Sequence, residues 1–189
     1  TVHVYGDCFR NDGNYLPFVC YNTTPEGKGV WINATGDIII DSESTLMGIG
    51  LGFPYTVGPG YDPDGPSHGG IGSFGTAPTY GVEQAPTSLG SGGWFTNGGS
   101  AIKLESLNNV QIDGNIDVSG IQWTATGETG SGGSIWIDSK YIIGTGNLSA
   151  HGGNAVAGGG SDLGGGGRIA LTADEINFTG SINNDGGDD

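Results

Sequence analysis

Residues 133–153 read GSIWIDSKYIIGTGNLSAHGG, and residues 167–187, GRIALTADEINFTGSINNDGG, repeat this stretch with the same spacing of apolar residues. Apolar residues that recur at a fixed spacing indicate a repeat protein whose units share one core. The aligned positions are Ile135 with Ile169, Ile137 with Leu171, Ile142 with Ile176, Gly146 with Gly180 and Leu148 with Ile182.

Two further copies lie upstream, in residues 100–120 and, more diverged, in residues 29–47. The last three copies begin at residues 100, 133 and 167, which are 33 and 34 residues apart. Each copy holds three short β-rich pieces, and strands this short are not stable alone. The copies are therefore predicted to stack, with equivalent residues about 4.8 Å apart in one apolar core.

The repeat predicts an all-β protein with the architecture of a short parallel β-solenoid (β-helix) of four rungs, with a long glycine-rich loop leaving each coil on the same side. The alternative is a glycine-rich antiparallel β-sandwich. It stays open because Asp113-Gly114-Asn115, Gly144-Thr145-Gly146 and Thr179-Gly180-Ser181 could each form a hairpin turn.

The first 29 residues differ from the repeats and are predicted to form a separate cap or exchange segment, followed by the repeats over residues 30–189. Cys8 and Cys20, which are the only cysteines, flank a turn signal at residues 11–14. Two cysteines around one turn predict a disulfide formed in an oxidising compartment. The segment could close the open end of the repeats or reach a neighbouring subunit, as terminal units of repeat proteins do.

Residues 48–99 interrupt the repeats with an insertion rich in Gly and Pro. Its scattered aromatic residues, Trp94 among them, predict an ordered flap and not a flexible linker. No cofactor and no metal site is expected. Calcium stays open only because Asp62-Pro63-Asp64-Gly65 resembles part of a calcium-binding turn.

The chain is strongly acidic, with 20 acidic against 5 basic residues and a net charge of −15. This balance argues against nucleic acid as a partner, and no apolar run is long enough for a membrane span. The three histidines, at positions 3, 68 and 151, have no ligand spacing, and no catalytic motif stands out. The sequence therefore predicts a protein that is not an enzyme.

Four Asn-x-Ser/Thr sequons predict covalent N-glycans on an extracellular protein. Strand alternation places the three that lie in the repeats on the solvent side, because their neighbours Ile32, Leu148 and Ile176 point inward. The sequon asparagines are Asn22, Asn33, Asn147 and Asn177.

The outward positions of the repeats form a second pattern. The first β-rich pieces align Trp31, Lys103 and Trp136, which predicts a cation–π stack on one sheet face. The second pieces place Ile39 and Ile143 outward as well. Aromatic and aliphatic residues on an exposed face mark a contact site, so we expect a subunit interface or a sugar-stacking platform here unless the insertion covers the face.

The repeat pattern I-x-I/L-x(4–5)-I-x-I-x-G-x-I-x-x-x-G resembles that of secreted β-solenoid repeats of the filamentous-haemagglutinin type. The glycine runs before GGSIWI and GGRIAL resemble glycine-rich extracellular repeat proteins. The resemblance covers residues 29–187 and implies a secreted structural or adhesive role, with no catalytic residues to transfer.

These observations together predict a secreted structural glycoprotein that polymerises head to tail in an extracellular filament or surface coat, with contacts made by the N-terminal strand and the flap. The alternative is a carbohydrate-binding or adhesive module for an extracellular polysaccharide. A polysaccharide-degrading β-helix enzyme is the weakest interpretation, because the five basic residues are dispersed.

Overall fold

A computed structural model describes residues 2–3, 8–9, 19–20, 26–122, 129–155 and 162–188. The described residues form β-strands and no helix. In chain order the strands are β1 (Val2–His3), β2 (Cys8–Phe9), β3 (Val19–Cys20), β4 (Val30–Ala34), β5 (Ile38–Ile40), β6 (Thr45–Met47), β7 (Ala101–Ser106), β8 (Asn109–Ile112), β9 (Asn115–Asp117), β10 (Ser134–Gly144), β11 (Asn147–Ser149), β12 (Arg168–Phe178) and β13 (Ser181–Asn183).

Two parallel sheets carry most of these strands. One is five-stranded, in the order β1-β6-β9-β11-β13. The other is six-stranded, in the order β4-β7-β10-β8-β5, with β12 pairing to the second edge of β10. Each copy of the repeat thus contributes one strand layer: β4, β5 and β6, then β7, β8 and β9, then β10 and β11, then β12 and β13.

The strand register reproduces the alignment of the repeats. Ile135 pairs with Ile102 on one side and with Ile169 on the other, and Leu148 lies between Ile116 and Ile182. Because equivalent residues lie side by side, each apolar position becomes an inward column, and burial of these columns is the main source of stability. The fully buried centre contains Ile102, Leu104, Val110, Ile112, Ile116, Ile135, Ile137, Ile142 and Leu148.

The predicted four-rung solenoid is wrong, and so is the antiparallel sandwich. All pairs in the two large sheets are parallel, which excludes the sandwich, and the sheets curl as a half-barrel in place of closed coils. The first two β-rich pieces of the last two copies fuse into the single eleven-residue strands β10 and β12. A closed coil would need further strands in the segments that connect the repeats. Residues 48–100 and 162–167, which lie in these segments, form no sheet strand.

Glycine-rich backbone packs beside the sheets in place of such strands. Residues 90–93, 98–100, 129–133 and 164–167 are buried. Their amides and carbonyls bond one another, as in Gly99 N–H to Ser131 O at 2.9 Å and Gly132 N–H to Gly165 O at 3.0 Å. A Cβ on Gly133 would lie 1.7 Å from the Ser100 carbonyl oxygen, so only glycine allows this approach. The glycine content therefore reflects close backbone packing.

The insertion 48–99 crosses the beginnings of the strands. The Ser134 hydroxyl donates to the Ser88 carbonyl at 2.7 Å, and the Arg168 Nε donates to the Tyr80 carbonyl at 2.9 Å. Leu89 packs with Phe53 and Ala101 in a second small core. The order of this segment comes from such contacts, since it forms no strand of its own.

Candidate functional site

The outward face of the six-stranded sheet carries an ordered cation–π stack. Trp31 on β4, Lys103 on β7 and Trp136 on β10 are register partners. The Lys103 Nζ lies 3.9 Å from the centroid of the Trp31 ring and 3.8 Å from that of Trp136. Lys103 is only 6% exposed, so the two rings shield its ammonium from water. A desolvated cation between two indoles is held more strongly than one at an open site.

Glu105 completes the stack. It follows Lys103 by two residues and so lies on the same face of β7. Its Oε2 accepts a hydrogen bond from the Lys103 Nζ at 2.8 Å and another from the Trp31 Nε1 at 3.0 Å. The hydrogen bond from Lys103 is the main reason that the pKa of the Glu105 carboxyl is lowered. Glu105 was not predicted from the sequence as part of this stack, although period-two alternation from Lys103 places it on the same face.

The two indole rings and Glu105 hold the Lys103 ammonium in one position. The Lys103 ammonium is covered by two rings and forms an ion pair with the Glu105 carboxylate. The Trp31 indole is fixed in orientation, yet 63% of its surface is exposed. The described residues of the insertion therefore do not cover this face, and a rigid, open aromatic ring is available for a contact.

A cavity of about 190 Å³ opens beside Trp31 at the beginnings of β4 and β7. Its walls are mostly apolar, with two lysine side chains among them and one residue from the insertion. The contribution of the insertion to this cavity was not predicted from the sequence. The lining residues are Lys28, Gly29, Val30, Trp31, Thr87, Ala101, Ile102 and Lys103.

The other predicted contact residues, Ile39, Ile143 and Trp94, do not line the cavity beside Trp31. Ile39 on β5 is exposed, and Ile143 on β10 is half-buried in the same outward column, with Gln111 between them. Trp94 is exposed in the insertion, where its ring centroid lies 6.3 Å from that of Phe95, and it does not line the cavity. The structure thus brings Trp31, Lys103 and Trp136 together.

Three of the four sequon asparagines are described, and all three are exposed: Asn33 on β4, Asn147 on β11 and Asn177 on β12. Asn147 takes part in a ladder, donating to Asn115 Oδ1 at 2.6 Å and accepting from the Ser181 hydroxyl at 2.5 Å. Asn22 lies outside the described residues. Glycan attachment at all four stays a prediction.

The two cysteines occupy a short antiparallel pair. β2 and β3 place Cys8 directly opposite Cys20 in the register. Directly opposed residues in antiparallel strands have Cα atoms about 4.5–5.5 Å apart, and a disulfide spans that distance. The backbone is therefore compatible with the predicted bridge, which stays a prediction.

Within the insertion, the Asp62 carboxylate holds backbone amides together. The carboxylate of Asp62 accepts bonds from the amides of Thr76, Ala77 and Asp64 at 2.7, 3.0 and 3.0 Å, and the amide of Thr76 contributes most to lowering its pKa. In the part of the chain that the structure describes, no group of three or more His, Cys, Asp or Glu residues is placed to hold a metal.

His68 is fully buried. Its Nδ1 lies 2.6 Å from the Gly132 carbonyl oxygen, and its Nε2 has no hydrogen-bond partner among the described residues. Burial lowers the pKa of His68 to about 4, and the charge of Arg168 acts in the same direction. The ring packs on Tyr80, at 4.7 Å between centroids.

The ends of the parallel sheets are also exposed. Among the described strands, none pairs with the outer edges of β4 and β5, and none with the outer edge of β12 or β13. Ile176 and Ile182 are 46% and 50% exposed at the last layer, although their register partners Ile142 and Leu148 are fully buried. These edges combine free backbone groups with apolar side chains, which is the composition of a strand-docking surface.

No helix in the described residues is long and apolar enough to cross a membrane. Comparison of the chain with protein-family models, with curated proteins and with solved structures gives no match. The resemblance to filamentous-haemagglutinin-type repeats stays a prediction.

Proposed function

We propose that this chain is the subunit of a secreted, glycosylated structural protein that assembles head to tail with copies of itself into an extracellular filament or surface coat. The observation that carries the proposal is the pair of unlike, unpaired edges, β4 and β5 at one end and β12 at the other, in the described part of the six-stranded sheet.

Parallel pairing makes the two edges complementary. All strands of the sheet run in one direction, so a second copy moved along the stacking direction presents its β12 to β4 and β5 with parallel polarity. The inward columns then continue across the junction, with Ile169 and Leu171 meeting Val30 and Ile32 of the next copy. A contact between unlike surfaces that does not close into a ring propagates as a filament.

The outward face supports the same stacking. Ala170 is the register partner of Trp136, so it would meet Trp31 of the next copy across the junction. Its small side chain leaves room for the indole.

Glycans on Asn33 and Asn177 would project from strand faces, since side chains stand roughly perpendicular to a sheet and not along its hydrogen-bonding edge. Together with the net charge of −15, they would keep neighbouring filaments apart without blocking axial growth.

The test is electron microscopy and sedimentation of the native protein and of two variants of residues 1–189. Ile176→Lys places a charge in the inward column at the β12 edge and is expected to abolish fibres. Leu107→Lys also replaces an apolar residue by lysine, but in the turn between β7 and β8, away from both edges and 72% exposed, so it is expected to leave fibres intact. Four strand layers give an expected axial repeat of about 19 Å.

Two results would overturn this proposal. One is fibre formation by the Ile176→Lys variant as efficient as that of the unmodified chain. The other is single particles in the native material at every concentration, even if residues 1–189 alone form fibres, because another stretch of polypeptide would then occupy the β12 edge.

The cavity beside Trp31 favours one second candidate, a module that binds extracellular polysaccharide. A fixed, exposed indole next to a cavity of about 190 Å³ suits stacking against a sugar ring. Trp31→Ala is expected to abolish retention on insoluble polysaccharides, whereas Trp94→Ala, which removes an exposed indole from the insertion, is expected to have no effect. Equal retention by both variants would exclude this candidate.

A further inference from the structure

The edge of β6 carries a strand from outside the repeats. β1 pairs with β6 in parallel, with Val2 in register with Leu46 and His3 with Met47. On the other side of β6, Leu46 is in register with Ile116, which is followed in the same row by Leu148 and Ile182. β1 therefore occupies the layer that precedes the first repeat.

The five-stranded sheet is thus one layer longer than its companion. β4, β5 and β6 belong to the same copy of the repeat, but in the described part of the chain only β6 has a strand on its outer edge. A second copy that docks β12 on β4 and β5 must bring its β13 to the edge of β6, because only residues 179 and 180 separate β12 from β13. That place is held by β1.

We infer that β1 of a chain competes with β13 of a second copy for the same edge of β6. The N-terminal strand thus closes the assembly surface of the single chain and is displaced when copies join. The inference rests on the proposed function. It differs from the expectation that the N-terminal strand itself makes the contact between subunits.

The lengths of the competing strands favour the exchange. β1 contributes two paired residues, whereas β13 contributes three and arrives with the eleven-residue β12. Docking also removes from water Ile176 and Ile182, which are about half exposed in the single chain. A strand as short as β1 is held weakly, and a copy at sufficient concentration can replace it.

The test compares the full chain with a variant that lacks residues 1–7, which retains both cysteines. Light scattering should show that the full chain assembles after a lag, and that the shortened chain assembles without one and at a concentration about tenfold lower. The peptide TVHVYGD, added in excess to the shortened chain, should restore the lag, and a peptide of the same composition in scrambled order should not.

A second variant keeps the length of the chain. Val2→Asp places a carboxylate at the position in register with Leu46 and should also shorten the lag. Circular dichroism establishes that each variant is folded, and if the shortened chain does not fold, Val2→Asp alone decides. Equal lag times, or loss of fibres on deletion or substitution while the full chain still forms them, would overturn the inference and leave the proposed function standing. The absence of fibres from all the proteins would overturn the proposed function itself.

Discussion

Lys103 holds its ammonium 3.9 Å from the centre of the Trp31 indole, on a strand that pairs with that of Trp31 through the register Trp31 to Lys103. The second indole, Trp136, covers the other side of the same nitrogen at 3.8 Å. A lysine that is almost fully buried on a sheet face is tolerated because its charge is compensated by two rings and by Glu105. The stack ties the first three copies of the repeat together across their outward face.

The first prediction concerns this cation. Lys103→Met keeps the length and the apolar part of the side chain but removes the charge, so it eliminates both cation–π contacts and the ion pair. We expect the free energy of unfolding to fall by about 1–3 kcal/mol, measured by urea denaturation with tryptophan fluorescence. Lys140→Met is the matched control, because Lys140 is exposed and lies 5.1 Å from a single ring, that of Tyr141. Equal effects of the two substitutions would contradict the assigned role of Lys103.

The second prediction concerns the close approach of glycine backbones. Gly133→Ala would put a methyl group 1.7 Å from the Ser100 carbonyl oxygen. The backbones of Ser100 and Gly133 are both buried and cannot move apart easily. We expect a loss of about 3 kcal/mol or more in thermal or urea unfolding.

The control for this substitution is Gly36→Ala. A methyl group on Gly36 meets no atom within 4 Å, so the same chemical change is expected to leave stability within about 0.5 kcal/mol. If Gly133→Ala were as mild as Gly36→Ala, the glycine layers would be looser than the structure indicates.

The alignment of the repeats contained much of the sheet register. It placed Trp31, Lys103 and Trp136 side by side, because equivalent apolar residues that share a core must lie in adjacent strands. It did not reveal that β10 continues through Ser139 and Lys140 as one strand, because the apolar periodicity breaks there. The prediction of closed coils was wrong for that reason. It was also wrong because glycine-rich backbone, and not a further set of strands, packs beside the sheets.

The path of the insertion could not be predicted from its own residues. Thr87 lines the cavity beside Trp31, and Tyr80 meets Arg168, only because the glycine-rich segments let the insertion cross the beginnings of β4 and β12 at close range. Such contacts depend on tertiary packing and carry no local signal. The position of β1 on the β6 edge is a contact of the same kind.

The third prediction concerns acid sensitivity. Burial lowers the pKa of His68 to about 4 from a usual value of 6.5, so the unfolded chain binds a proton more readily than the folded one between these values. Stability is therefore fully present above pH 6.5 and falls as the pH drops from 6.5 to 4, by about 3 kcal/mol in total.

Urea midpoints measured across this pH range test the assignment. His68→Gln should be less stable at pH 7 than the unmodified chain, yet it should lose most of the pH dependence between 6.5 and 4. An unchanged slope in this variant would show that another group carries the effect. Hydrogen bonds lower the pKa values of the Asp62, Glu105 and Asp113 carboxyls from their usual 3.8, 4.5 and 3.8, so the contribution of these groups to stability is lost only as the pH falls through those values and below. The slope between pH 6.5 and about 5 therefore reports on His68.

The fourth prediction is the bridge between Cys8 and Cys20, which the antiparallel register places directly opposite each other. Protein from an oxidising compartment should be lighter than its reduced form by the mass of two hydrogen atoms, and peptide mapping should find the two cysteines joined. Reduction is expected to destabilise the segment that contains β2 and β3 by about 2–4 kcal/mol, and hydrogen exchange can localise that loss. Two thiols that react freely with an alkylating agent in the folded native protein would refute the bridge.

The fifth prediction is that glycans are carried at Asn33 and Asn177, which are exposed on the two edge strands of the six-stranded sheet. Enzymatic removal of N-glycans in heavy-oxygen water should convert both asparagines of the native protein to labelled aspartates, which mass spectrometry detects. Deglycosylated fibres are expected to keep their axial repeat but to associate side by side, because glycans on strand faces would separate filaments without contributing to the junction. Collapse of the fibres into single subunits on deglycosylation would place the glycans within the junction and contradict the edge geometry proposed for it.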